Sequence, residues 1–278
     1  MPDWNMKNTN PKRVLNLAAI QTASLALGSA RLDYFLTQAK SRGSRVAVLG
    51  EYTCNLFFKE LEKMPLSFVR EQSEHHHENL RKLALHYNMT LIAPLATVQG
   101  KQVYKSLYRF TPGRVYRYDQ QILMDYPHWN EERFFANEIA PLQIPLIFSE
   151  QGFKIALIGG YELHFDALWH KLVERRVDLV IVPTANTFES FARWQTLLKS
   201  RAFTGGCYLL RVNRIGDYEE GGRRWEFYGN SLVCNPFGEI ENALDDREGI
   251  LIASLDKREA GEARRAFGFG RALKKREF

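Results

Sequence analysis

Three features of this chain predict an α/β fold. Short runs rich in Val, Ile and Leu recur along its 278 residues. Segments with apolar residues at roughly 3.6-residue spacing lie between them. Several of the short runs are apolar at consecutive positions, as strands covered on both faces are. In chain order, the first strand is expected at 14–20 (VLNLAAI), and a helix at 29–41 follows with Leu32, Phe35, Leu36 and Ala39 on one stripe. A strand at 45–49 (RVAVL) leads to a helix at 73–87 carrying Leu80, Leu83, Ala84 and Tyr87 on one face. Strands at 90–98, 105–110 and 153–158 precede a helical pattern at 164–175. A strand at 179–183, a helix at 190–203 and strands at 207–212, 230–234 and 249–255 complete the alternation. Gly, Pro, Asn or Asp bound these runs. The polar stretch at 217–224 (DYEEGGRR) reads as a loop or hairpin tip. Strands alternating with helices argue α/β rather than segregated elements.

Composition narrows the function classes. With 45% apolar and 25% charged residues, the chain is an ordinary globular protein long enough to bury a core without staples. The apolar runs are strand-sized, far below the roughly 18–20 residues of a membrane span. Three widely spaced cysteines, Cys54, Cys207 and Cys234, form no CxxC pair, which argues against a zinc site or a disulfide framework. Residues 1–13 are polar and lack the hydrophobic core of a signal peptide, so a cytoplasmic protein is expected. The net charge of +6 favours solubility, and no aromatic–basic stripe points to nucleic acid. The triple histidine at 75–77 reads as a solvated helix face rather than a metal site. One domain is expected, with an N-terminal extension at 1–13, a body at 14–255 and a C-terminal arm at 256–278.

The order of certain segments is specific. LNLAAIQTA (15–23), VAVLGEY (46–52), GRVYRYDQQIL (113–123) and EERFF (131–135) come first. FKIALIGGYELHF (153–165), DLVIVPTAN (178–186), RWQTLLKSRAF with VNRIG (193–216) and YGNSLVCNPFGEI (228–240) follow. In this order the blocks resemble the carbon–nitrogen hydrolase family, the nitrilase/amidase superfamily. The resemblance implies a four-layer αββα sandwich of two central mixed sheets flanked by helices. It also implies a homodimer or higher oligomer, with the C-terminal arm at an interface, and a chemistry without cofactor or metal. That chemistry uses a cysteine thiolate as nucleophile, a glutamate as general base, a lysine that stabilises the oxyanion, and a second glutamate.

Carried over position by position, the general-base glutamate is Glu51, preceded by Gly50 where the family has proline. The second glutamate is Glu131. The lysine position is held by Gln120 and the nucleophile position by Gly160, with His164 where an arginine is usual. Tyr161, Glu162, His164, Asn186 and Cys54 are expected to line the pocket. Glycine forms no thioester, and loss of an essential nucleophile costs about 10⁶-fold in turnover. Loss of an oxyanion donor costs about 10²–10³-fold. Without a lysine the two glutamates are expected to share a cleft with no cation, wider by a cysteine side chain and more acidic. The expected protein is therefore a pseudoenzyme of this family that binds a small polar or cationic ligand or serves as an assembly scaffold. The alternative is a hydrolase of a C–N bond that acts through water attack assisted by Glu51, or through Cys54 as a relocated nucleophile.

Overall fold

The computed structural model describes residues 14–25, 27, 28 and 30–276, so the 1–13 extension lies outside the described residues. The first half runs β1 (Val14–Gln21), α1 (Ala30–Ser41), β2 (Val46–Leu49), α2 (Phe58–Leu61), α3 (Leu66–Tyr87), β3 (Thr90–Gln99), β4 (Gln102–Phe110) and β5 (Val115–Asp119). A small hairpin, β6 (Asp125–Tyr126) and β7 (Trp129–Asn130), leads into β8 (Leu146–Glu150) and β9 (Phe153–Leu157). The second half runs α4 (Asp166–Glu174), β10 (Leu179–Thr184), α5 (Phe191–Gly205), β11 (Tyr208–Asn213), β12 (Ile215–Glu220), β13 (Arg223–Tyr228), β14 (Leu232–Cys234), β15 (Ile240–Ala243), β16 (Gly249–Asp256), α6 (Lys257–Phe267) and α7 (Phe269–Lys274).

Two six-stranded mixed sheets result, ordered β16-β1-β2-β3-β4-β5 and β15-β14-β11-β10-β9-β8. Strand alternation divides the apolar residues into layers. Leu15, Leu17, Val46 and Val48 of the first sheet meet Ile155, Leu157, Leu179 and Ile181 of the second. The opposite face of the first sheet, with Ala18, Ile20 and Leu91, packs on Leu32 and Leu36 of α1 and Leu80 of α3. The outer face of the second sheet, with Ile158, Val180 and Leu209, packs on Trp169 of α4 and Leu198 of α5. This is the αββα sandwich. The stretch at 217–224 is the tip of the β12–β13 hairpin, turning at Gly221–Gly222. Among the described residues, no helix is long and apolar enough to cross a membrane.

The C-terminal segment returns to its own chain. Asp178, at the foot of β10, receives Lys257 Nζ and Arg264 Nη1, each at 3.0 Å. Phe267 and Phe269 sit on Phe203 of α5 at ring distances of 4.5 and 5.2 Å.

Candidate active site

The parallel strands β2, β9 and β10 end on the same side of the molecule, and the loops leaving them carry Glu51, Gly160 and Asn186. The Glu51 backbone N–H donates to Thr184 O at 3.1 Å, which ties the two sheets together at this point. Gly50 permits that approach. A Cβ there would stand 3.0 Å from Arg214 N and 3.2 Å from Thr184 O, so glycine in place of the family's proline has a steric reason. The next residue, Tyr52, is left-handed at φ 55°, a strained conformation for an aromatic residue. Arg214 Nη1 and Ser24 Oγ hold it by donating to the Tyr52 carbonyl at 2.9 and 3.1 Å. The turn sends the Tyr52 hydroxyl to Glu131 Oε1, to which it donates at 2.6 Å.

The structure brings Glu51 and Glu131 together, and a lysine joins them. Lys105 of β4 donates from Nζ to both Glu131 oxygens at 2.8 and 3.0 Å, and lies 3.2 Å from Glu51 Oε1. All three side chains are at most 5% exposed. The expectation of two glutamates without a cation is therefore corrected. An amine is present, and it comes from β4. Burial pushes the Glu51 carboxyl up to about 7; the Lys105 ammonium opposes this and the Glu131 charge adds to it. Burial opposes the charge on Lys105, but Glu131 and Glu51 together carry its pKa above the ordinary lysine value.

The expectation of a wider pocket is corrected as well. At Gly160 an added Cβ would lie 2.8 Å from Thr184 Cγ2 and 3.1 Å from Pro183 O. At Gly159 it would lie 2.4 Å from the Gln120 carboxamide. The side chains of Thr184 and Gln120 thus occupy the space next to the two glycines. Gln120 is buried; its Nε2 donates to Ile122 O at 2.8 Å and its Oε1 has no hydrogen-bond partner. The Gly160 backbone N–H works against the burial that raises the Glu51 carboxyl.

The remaining expected residues are placed in different ways. Glu162 is buried, accepting from Gly159 N–H at 2.7 Å, Gln121 N–H at 2.6 Å and Tyr118 Oη at 2.8 Å, so it fastens the loop. Burial raises its pKa against these donors. Tyr161 is half-buried and His164 exposed, the first edge-on to Tyr126 at 5.7 Å and the second edge-on to Trp194 at 5.0 Å. Asn186 is half-buried and donates its backbone N–H to Asn213 Oδ1 at 2.7 Å. Cys54 is fully buried in the layer beneath α1 and α3, and burial pushes its thiol up to about 12. Cys207 and Cys234 lie beneath α4 and α5, their thiols likewise pushed up by burial to about 12. The structure therefore does not bring a cysteine side chain into the Glu51–Lys105–Glu131 cluster.

Sequence reasoning missed Lys105, Tyr52 and Arg214. For Lys105 a signal existed. It shares its strand face with Val103 and Leu107, both buried, and a lysine on a buried face requires a carboxylate partner.

Known proteins share this layered fold. A carbon–nitrogen hydrolase from Helicobacter pylori superimposes over 93% of this chain and 94% of its own with a TM-score of 0.80, at 22% identity. A deaminated glutathione amidase of Synechocystis sp. is 24% identical over 191 residues, spanning 64% of this chain and 68% of that protein. A hydrolase of Mycobacterium tuberculosis is 25% identical over 242 residues, spanning 82% of this chain and 83% of that protein. The carbon–nitrogen hydrolase family profile matches residues 13–265. The chain belongs to the carbon–nitrogen hydrolase family.

Proposed function

We propose that this chain is a carbon–nitrogen hydrolase family protein without the family's cysteine-dependent activity, whose pocket binds a small polar ligand or braces an assembly. One observation carries the reading. The loop position that would present a nucleophile is Gly160, with the Thr184 methyl packed where a side chain would begin, and all three thiols are buried in the outer apolar layers. A thiolate must reach the substrate carbon to within about 3–3.5 Å. The assay is release of ammonia from simple amides, nitriles and N-carbamoyl compounds, with iodoacetamide mapping of the folded protein. The expected outcome is no turnover and no labelled cysteine; turnover abolished by any single Cys→Ala change would overturn the reading.

A second reading has support of its own. Glu51, held near neutrality by burial, suits a general base that activates water. Hydrolysis lost in Glu51→Gln and retained in Cys54→Ala would establish it. The assembly role rests on the C-terminal arm, and its check is the mass of the intact particle with and without residues 257–278.

A further inference from the structure

Lys105 and Gln120 face each other across a strand pair. The β4–β5 register places Ser106 opposite Asp119, and the next rung places Lys105 opposite Gln120. Gln120 N–H donates to Lys105 O at 3.0 Å across that rung. The Asn137 carboxamide braces it: Nδ2 donates to Lys105 O at 2.9 Å and to Gln120 O at 2.8 Å, and Oδ1 accepts the Lys105 N–H at 2.8 Å. Both side chains turn inward, Lys105 to Glu51 and Glu131, and Gln120 to Gly159. Opposed residues have Cβ atoms about 5 Å apart, a gap a four-carbon stem spans.

Lys105 Nζ donates to both Glu131 oxygens and lies 3.2 Å from Glu51 Oε1, an ion-pair contact rather than a hydrogen bond. Lys105 thus faces the two carboxylates of the cluster at ion-pair distance. Two carboxylates buried side by side resist joint ionisation, and Tyr52, the other titratable group of the cluster, adds no positive charge.

We propose that Lys105 is the positioning residue of this pocket: it supplies, from the strand beside residue 120, the cation that fixes the charge and orientation of Glu51 and Glu131, and a lysine at 120 can take over that task. The proposal goes beyond the functional reading above and holds whether or not the pocket turns over a substrate.

The test follows the Glu51 side-chain carboxyl by 13C NMR in the full chain, with Glu51→Gln identifying its resonance. Lys105→Gln is expected to move the Glu51 titration midpoint upward by about 1 pH unit or more, the effect of removing a contacting opposite charge. Lys105→Gln combined with Gln120→Lys is expected to bring it back. A merely structural lysine would leave the midpoint of a folded Lys105→Gln protein unmoved, and that result overturns the proposal, as does a double variant that folds with the midpoint still raised. Where circular dichroism shows Lys105→Gln unfolded, recovery of fold and midpoint by Gln120→Lys supports the exchange across the rung, and failure to recover either one refutes it.

Discussion

Gly160→Cys measures how closely the pocket has filled around the glycine. The backbone at 160 is already right-handed, at φ −54° and ψ −48°, so a side chain brings no dihedral strain. The obstacle is Thr184 Cγ2, 2.8 Å from the new Cβ, with the rigid Pro183 carbonyl at 3.1 Å. Overpacking of this kind costs about 1–3 kcal/mol. Thr184→Ser removes the obstructing methyl and keeps a hydroxyl for Asn213 Oδ1, which Thr184 Oγ1 contacts at 3.0 Å. Alone it loses about 0.8 kcal/mol of burial. Together the two changes should cost less than their sum by about 1–2 kcal/mol, a coupling that urea unfolding of the four-member cycle resolves. In the double variant, iodoacetamide followed by peptide mapping should find residue 160 labelled while Cys54, Cys207 and Cys234 stay protected. The labelling should slow when Glu51→Gln removes the adjacent base. Strict additivity would mean that Thr184 does not fill the glycine's space, and an unlabelled thiol at 160 would mean that the position does not open to a pocket.

Other expectations concern charge and packing. Glu51 holds its proton up to about 7 when folded against 4.5 as a free side chain. The folded chain is then the better proton binder between these values, and the stability Glu51 contributes at acid pH is lost as pH rises through that window. Glu51→Gln should gain on the natural protein in denaturant midpoint from pH 4.5 to 7; parallel curves would exclude this. His76 has the opposite sign. It is buried with no partner for Nε2, and burial lowers it from 6.5 to about 4. Unfolding takes up a proton there, so up to about 3 kcal/mol is present above pH 6.5 and lost toward pH 4. His76→Leu should flatten that acid limb. Phe57 is fully buried and stands 5.4 Å from Tyr52, 4.9 Å from Trp129 and 5.3 Å from Phe227 in ring distance. Phe57→Ala should cost about 3–5 kcal/mol by chemical denaturation, and a loss under 1 kcal/mol would deny this cluster its supporting role.

The parts of the fold that were legible in the sequence are those whose burial leaves a pattern. The nine strand runs read from the sequence all coincide with strands. Of the strands passed over, β5, β8 and β15 lie at sheet edges. Their half-exposed residues, as in VYRYD and IENA, mix polar and apolar side chains. The helix expected at 73–87 begins at Leu66, because its first buried face includes Gln72 and Ser73, both bound to Asn55 Nδ2 at 3.1 Å. A polar pair satisfied by a loop looks like exposure in the sequence. The histidines at 75–77 split for the same reason: His75 is exposed, His76 is buried and His77 packs edge-on to Tyr108 at 5.2 Å. In the site, Glu51 and Glu131 were singled out from their motifs, and both contact Lys105 Nζ. Lys105 was passed over despite its place on a buried strand face with Val103 and Leu107, because its partners arrive from loops more than twenty residues away in either direction.

The two departures at this pocket differ in kind. A cation acts on carboxylates through a field that reaches several ångströms, and its long stem can start from more than one backbone position. A cation on the facing rung, as proposed for Lys105, therefore keeps the charge balance of the cluster. A nucleophile has no such latitude, since bond formation fixes both its distance and its direction. The cysteines at 54, 207 and 234 start from strands and loops whose side chains enter the outer layers, and no rotamer carries them through a sheet. Nor is the retained triad explained by stability. Burying three charges costs solvation that their mutual attraction scarcely recovers, and apolar residues of similar volume would hold the site as well or better. By that argument the buried Glu–Lys–Glu cluster adds little net stability to the sandwich.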